Sequence, residues 1–199
     1  MLMKFAAIKR TVDPAIEPVS LRAAKGQLRI EPSNADEDFF INSIIKAARE
    51  WVEEKTRMSL IQQTWKTSYA GWPDDRFFDL EMPPFVAIVD VNYFDVNEVE
   101  QAVGSSNYNG YYGNPAKVLL RSTYIRPSLS IEHQCPVSVT YTAGYGLLAA
   151  TVPGLLQQAI LLLIEHMYKY RGPAVEGAKV TTVPLSVESI LSHFKTIRI

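Results

Sequence analysis

Three histidines, one cysteine and three runs of carboxylates are the residues of this chain whose types could carry chemistry. His133, His166 and His193 stand far apart, and none is paired with another His or Cys at metal-ligand spacing. Cys135 precedes Pro136 at the start of a strand pattern, where a small buried hydrophobe is expected; as a nucleophile it would need a base. Asp36-Glu37-Asp38 reads as the acidic first turn of a helix and Asp74-Asp75 as a turn, with Glu98 and Glu100 forming a third acidic pair. A glycosidase-type carboxylate pair would have to be assembled in space from such groups. Tyr141-Thr142-Ala143-Gly144-Tyr145-Gly146 contains glycines, but no helix opens directly after them, so it reads as a turn and not as a phosphate cradle. No Gly-Lys-Ser/Thr phosphate loop, Gly-x-Ser-x-Gly elbow or His-Glu-x-x-His helix occurs. The tyrosine-rich run Tyr108-Asn109-Gly110-Tyr111-Tyr112 suits an adaptable contact loop or a plain exposed one. The expectation is a non-catalytic chain without cofactor or metal.

The elements that must hold these residues fall into three stretches. Residues 1–18, with Pro14 and Pro18, show no clear period and read as an extended arm. Ser20 can cap a short helix over 21–28. Asn34 and Glu37 fit a capping box, and Phe40, Ile41, Ile44, Ala48, Trp51 and Val52 recur at helical spacing, predicting a helix from about 35 to 57. The period then drops to two in 61–69, 78–82, 89–93 and 137–141, separated by Gly71-Trp72-Pro73, Pro83-Pro84 and Asp95–Glu98 turns. Residues 104–115 read as a long exposed loop. Helical spacing returns from Pro153, with Leu155, Leu156, Ala159, Ile160, Leu163 and Met167 on one face and Arg171-Gly172-Pro173 as a stop. Residues 174–184 read as a linker, and about 186–194 as a last short helix with Val187, Ile190, Leu191 and Phe194 on one side.

The predicted fold class is α+β: a helical body made by N- and C-terminal helices (20–57 and 153–171) with a mostly antiparallel β unit (60–145) inserted between them. The arm is 1–18, the main domain 19–173, and the linker with its helix 174–199. Burial of about seven large side chains per long helix, at roughly 1.5–3 kcal/mol each, makes the pairing of those helices the core.

Totals narrow the function classes. With 199 residues, 47% hydrophobic and 21% charged, the chain is long enough for a real core and ordinary enough to be globular. A net charge of −1 builds in no strong field toward nucleic acid or membrane. The single cysteine needs no oxidising compartment, and the start MLMKFAAIKRTVDP lacks a signal-peptide pattern, which predicts a cytoplasmic protein. The apolar run 159–164 falls far short of the roughly 20 residues that span a bilayer.

Ordered motifs then resemble those of phage head–tail connector proteins. Leu21-Arg22-Ala23-Ala24-Lys25-Gly26-Gln27-Leu28-Arg29 is similar to the family's "LxxAKxxLR" opening, followed by an acidic start and a helix containing Ala47-Ala48-Arg49-Glu50. Thr56, Leu60, Ile61, Gln63, Thr64 and Trp65 match "T-x-x-x-L-I-x-Q-T-W". Leu80–Pro84 resembles "LPxPP", Val139–Gly146 "VxYTAGYG", and Val152–Leu163 "VPxxLxQAILLL". The resemblance covers about 20–195 and is closer to the variant with a large β insertion.

The resemblance implies a structural subunit of a ring, usually twelvefold, under the portal of a tailed phage or phage-derived particle. Such a ring extends the DNA channel and offers a docking surface to tail or head-completion proteins. It implies assembly in the bacterial cytoplasm, residence at the head–tail junction, closure of the ring in the particle from a subunit that can be monomeric when free, and DNA passing without sequence-specific contacts. On this reading Val187, Ile190, Leu191 and Phe194 are expected to dock on the portal, and Tyr108, Tyr111 and Tyr112 to contact a partner. The alternatives are another head-completion or tail-terminator subunit and, in a different class, a small enzyme or carbohydrate-binding module with Trp65, Trp72 and Tyr111 as stacking groups.

Overall fold

A computed structural model describes residues 5–113, 116–170 and 184–194. The fold is α+β, and the chain divides into two compact units. One is built from the N-terminal strand and residues 62–144, the other from 16–61 and from 145 onward.

The β unit has eight strands: β1 (Phe5–Val12), β2 (Gln63–Tyr69), β3 (Phe77–Asp79), β4 (Phe85–Phe94), β5 (Glu100–Ala102), β6 (Tyr108–Tyr111), β7 (Lys117–Leu120) and β8 (Val137–Ala143). Five form a sheet in the order β1-β2-β8-β4-β5, and three a second sheet in the order β3-β7-β6; every pairing is antiparallel. The period of two explains the register. Trp65, Tyr141 and Ile88 lie in one cross-strand row, Thr67, Val139 and Val91 in the next, and Tyr69, Val137 and Tyr93 in a third. These rows pack with Phe78, Val118 and Leu120 of the small sheet in one apolar cluster. The polar tips buried with them are satisfied: Tyr141 donates to the Glu81 carbonyl at 2.8 Å and Tyr69 to that of Asp79 at 2.6 Å.

The helical unit comprises α1 (Leu21–Leu28), α2 (Asp38–Thr56), α3 (Gly154–Lys169) and α4 (Leu185–Ser192). Ile41, Ile44, Ile45, Ala48 and Val52 of α2 meet Leu156, Ala159, Ile160, Leu163 and Ile164 of α3, so the two long helices do form the core of this unit. Ser20 caps α1 as its residue type predicts, its hydroxyl accepting from the Ala23 amide at 3.2 Å.

Several local expectations differ from what is seen. The Asn34/Glu37 capping box does not form: α2 starts at Asp38, and its N-cap residue Glu37 makes no side-chain capping bond. The reason is Lys25, which is buried. Its ammonium binds the Asn34 carbonyl at 2.7 Å, the Pro32 carbonyl at 3.3 Å and the Asp38 carboxylate at 2.5 Å. Residues 32–38 therefore wrap around that cation, Asn34 closes a turn onto the Asp36 amide, and Glu37 accepts from the Tyr168 hydroxyl instead. Pro153 is the N-cap of α3 and not its first-turn residue.

Residues 5–12, read as part of an arm, form β1 along the edge of the large sheet, where Ile8 and Arg10 supply a short alternation that the later prolines obscure. Residues 104–115, read as one loop, contain a 3-10 turn at Ser105–Asn107 and the strand β6. Gly110 there passes against the Phe85 ring; a Cβ would stand 3.1 Å from its Cε1 atom and 3.3 Å from Cζ. Gly110→Val should therefore cost about 1–3 kcal/mol by overpacking, measured by urea denaturation. The linker read at 174–184 lies almost wholly outside the described residues.

Candidate assembly surfaces

Among the described residues no cluster of three His, Cys, Asp or Glu could hold a metal ion. His133 stacks on Phe94 with ring centres 3.9 Å apart and places Nε2 2.8 Å from the Glu98 carboxylate. His166 lies against Tyr170, and His193 caps the end of α4. Cys135 is half-exposed and not the buried hydrophobe its context suggests, because the core of β8 begins only with Pro136 and Val137. A polar cleft of about 420 Å³ opens beside Gln27, Arg29, Glu165, Tyr168 and Lys169. Its amide and carboxylate are already joined, Gln27 donating to Glu165 at 2.6 Å.

The aromatic groups divide by use. Trp72 is packed against Phe78, Tyr93 and Tyr124, and its indole N–H donates to the Pro127 carbonyl at 2.8 Å. Trp65 packs on the β core with the Arg10 guanidinium over its ring. Both indoles are thus half-buried and engaged within the β unit. Of the three tyrosines read as a contact loop, Tyr108 is half-buried on the core, and burial, then the nearby Asp90 charge, push its pKa up. Tyr111 and Tyr112 are exposed, Tyr112 by 74% although its ring lies 5.0 Å from that of Phe85. The structure thus brings Tyr111 and Tyr112 to the surface and leaves Tyr108 in a different environment.

The C-terminal helix is used inside the helical unit. Val187 and Leu191 are fully buried there, and Ile190 and Phe194 pack partly against the same cluster. Leu185, on the other side of α4, is exposed. A partner can reach Val187 and Leu191 only if α4 leaves this seat, whereas Ile190 and Phe194 are partly exposed where they stand.

Two features escaped the sequence reading. Arg49 is 1% exposed, and its guanidinium binds Glu17 at 2.8 Å and 3.4 Å and Glu53 at 2.8 Å, while Glu53 also accepts from the Leu60 amide at 2.9 Å. Burial opposes the Arg49 charge, but hydrogen bonds and attraction from Glu17 and Glu53 outweigh it, and the pKa is raised. Sequence offered one signal, the i,i+4 spacing of Arg49 and Glu53. The second feature is an acidic surface at the β4–β5 turn. Asp95 accepts from the Gln101 amide at 3.0 Å and from the backbone amides of Val99 and Asn97 at 3.1 and 2.8 Å, and these bonds, in that order, lower its pKa. Its contribution to the turn is therefore complete above the ordinary aspartate range and lost as pH falls through the lowered value. Amide exchange at Asn97 and Val99 should accelerate below that point in the wild type, and already at neutral pH in Asp95→Ala.

Residues 18–103 match the family model of phage gp6-like head-tail connector proteins. No curated protein matches the chain. Among solved structures, a chain from the neck of an empty GTA particle computed with C6 symmetry superposes with a TM-score of 0.78 at 20% identity, covering 97% of both chains. A chain of the virion of the native gene transfer agent particle gives 0.76 at 20% identity over 96% of both, and one from the native neck computed with C12 symmetry 0.72 at 18% over 97% of both. These likenesses show a shared fold across nearly the whole chain, including residues beyond 103. Residues 18–103, which hold the motifs of 20–65, are thus similar to phage gp6-like head-tail connector proteins, and nearly the whole chain shares the fold of the GTA particle chains.

Proposed function

We propose that the chain is the subunit of a ring at the neck of a tailed-phage or gene-transfer-agent particle. Twelve copies stand beneath the portal, extend the DNA channel and present a docking surface to the next head-completion or tail protein. The observation that carries this reading is the fold match over 97% of both chains to a neck protein, joined to the connector family match. The C12 symmetry named for one of the similar structures supports the copy number. The subunit assembles in the host cytoplasm and remains at the head–tail junction.

A structural role without catalysis agrees with the scattered histidines and the half-exposed, isolated Cys135. A net charge of −1 suits a channel through which DNA must slide, since many Lys/Arg–phosphate contacts would hold it back. Tyr111 and Tyr112 are proposed as contacts to a neighbouring neck protein. Portal docking through Val187, Ile190, Leu191 and Phe194 is proposed to proceed by release of α4 from its own unit.

Negative-stain imaging and mass measurement, with and without portal protein, test the assembly. A ring that forms alone or on the portal is expected. A chain that stays monomeric with portal at high concentration overturns the reading.

A further inference from the structure

Resting on that reading, we infer that neighbouring copies join through the two opposite edges of the large sheet, the β1 edge of one copy meeting the β5 edge of the next. A ring of identical subunits needs two different surfaces on opposite sides, each complementary to the other. The strand order β1-β2-β8-β4-β5 places β1 and β5 at the two ends of one sheet. Four successive antiparallel pairings make β1 and β5 run in the same direction, so the joint between copies is a parallel, head-to-tail one.

The two edges differ in charge. At the β5 end, Asp95, Glu98 and Glu100 accompany the exposed side chains of Val96 and Val99. His133 and Ser130 both bind the Glu98 carboxylate, and the Ser130 amide donates to the Phe94 carbonyl at 3.0 Å, fixing the 130–133 segment against the turn. The β1 end carries exposed Lys9, Thr11 and Val12. Lys9 stands opposite Lys66 in the ladder. Lys66 reaches Glu100 at 3.6 Å, whereas Lys9 has no carboxylate partner among the described residues. A lysine on an edge strand deters indiscriminate pairing, and an acidic partner edge turns that deterrent into selection. The cation and exposed Val12 of β1 complement the carboxylates and exposed valines of the β5 end.

The test uses the full chain in a Cys135→Ser background carrying Val12→Cys and Val99→Cys, mixed from ¹⁴N- and ¹⁵N-labelled preparations. It is treated with a short bis-maleimide alone at high concentration and on portal protein. The expected result is mixed-isotope peptides, detected by mass spectrometry, in which position 12 of one copy is joined to position 99 of another. Lys9→Glu should reduce that yield about tenfold, and Lys9→Glu with Glu100→Lys should recover most of it. Both substitutions lie at exposed positions, and circular dichroism checks the fold. Rings seen by negative stain without the mixed-isotope link overturn the edge assignment and leave the proposed function standing. Neither rings nor links overturns both.

Discussion

Arg49→Met should lower the unfolding free energy of the chain by about 3–5 kcal/mol, more than any exposed substitution. The guanidinium is buried and is the cation facing Glu17 and Glu53 within the helical unit. It joins the segment that leads into α1, the middle of α2 and, through Glu53, the Leu60 amide where the chain leaves α2. Methionine fills a similar volume but leaves the Glu53 carboxylate, itself 3% exposed, without its cation. Arg49→Met with Glu53→Gln should regain part of the loss, because the amide oxygen still accepts from Leu60 while the uncompensated charge is gone. The raised pKa keeps Arg49 charged across the working range, so its contribution is present at neutral pH and would be lost only as pH rises through a far alkaline value. Urea denaturation at pH 7 measures both variants. A loss below about 1 kcal/mol for Arg49→Met would show that the network is not structural.

This network also marks where sequence reasoning stops. Periodicity found α2, α3 and the strands β2, β4 and β8, because each has one face of large apolar residues that cannot stay in water. It missed β5, β6 and β7, which are three or four residues long and rely on cross-strand partners distant in sequence. It missed β1 because the short alternation at Ile8 and Arg10 runs into Pro14 and Pro18, and its partner at 64–69 is distant in sequence. The capping box failed since Lys25, one turn of helix and a loop away, offered residues 32–38 a stronger partner than the helix terminus did. At the surfaces, Tyr111 and Tyr112 were legible from composition, whereas the acidic β5 edge was not. Its turn at 95–99 is held by 130–133, distant in sequence, through Glu98, the Phe94 carbonyl and the His133 ring stacked on Phe94.

Leu191→Ala should destabilise the helical unit by about 2–5 kcal/mol, while Leu185→Ala, six residues earlier on the same helix, should stay within about 0.5 kcal/mol. Leu191 is 1% exposed and Leu185 81% exposed, so the first leaves a cavity and the second removes a side chain already in water. α4 packs on both α2 and α3, and Val187 with Leu191 completes the core those helices begin. Deleting residues 178–199 should therefore do more than remove a docking segment. It uncovers the faces of α2 and α3 that α4 shields, at a cost of roughly 3–6 kcal/mol for two large side chains. That cost shapes the proposed portal interaction. A portal that takes α4 must offer Val187 and Leu191 a burial at least as complete as the one they leave, with the vacated groove filled as well. Leu191→Ala would then weaken both states together and leave portal affinity nearly unchanged, whereas a crosslink holding α4 in its own unit would abolish binding. If crosslinked chain binds portal as tightly as free chain, and Leu185→Ser weakens it, the portal reads the exposed side of a seated α4 and release is not part of docking.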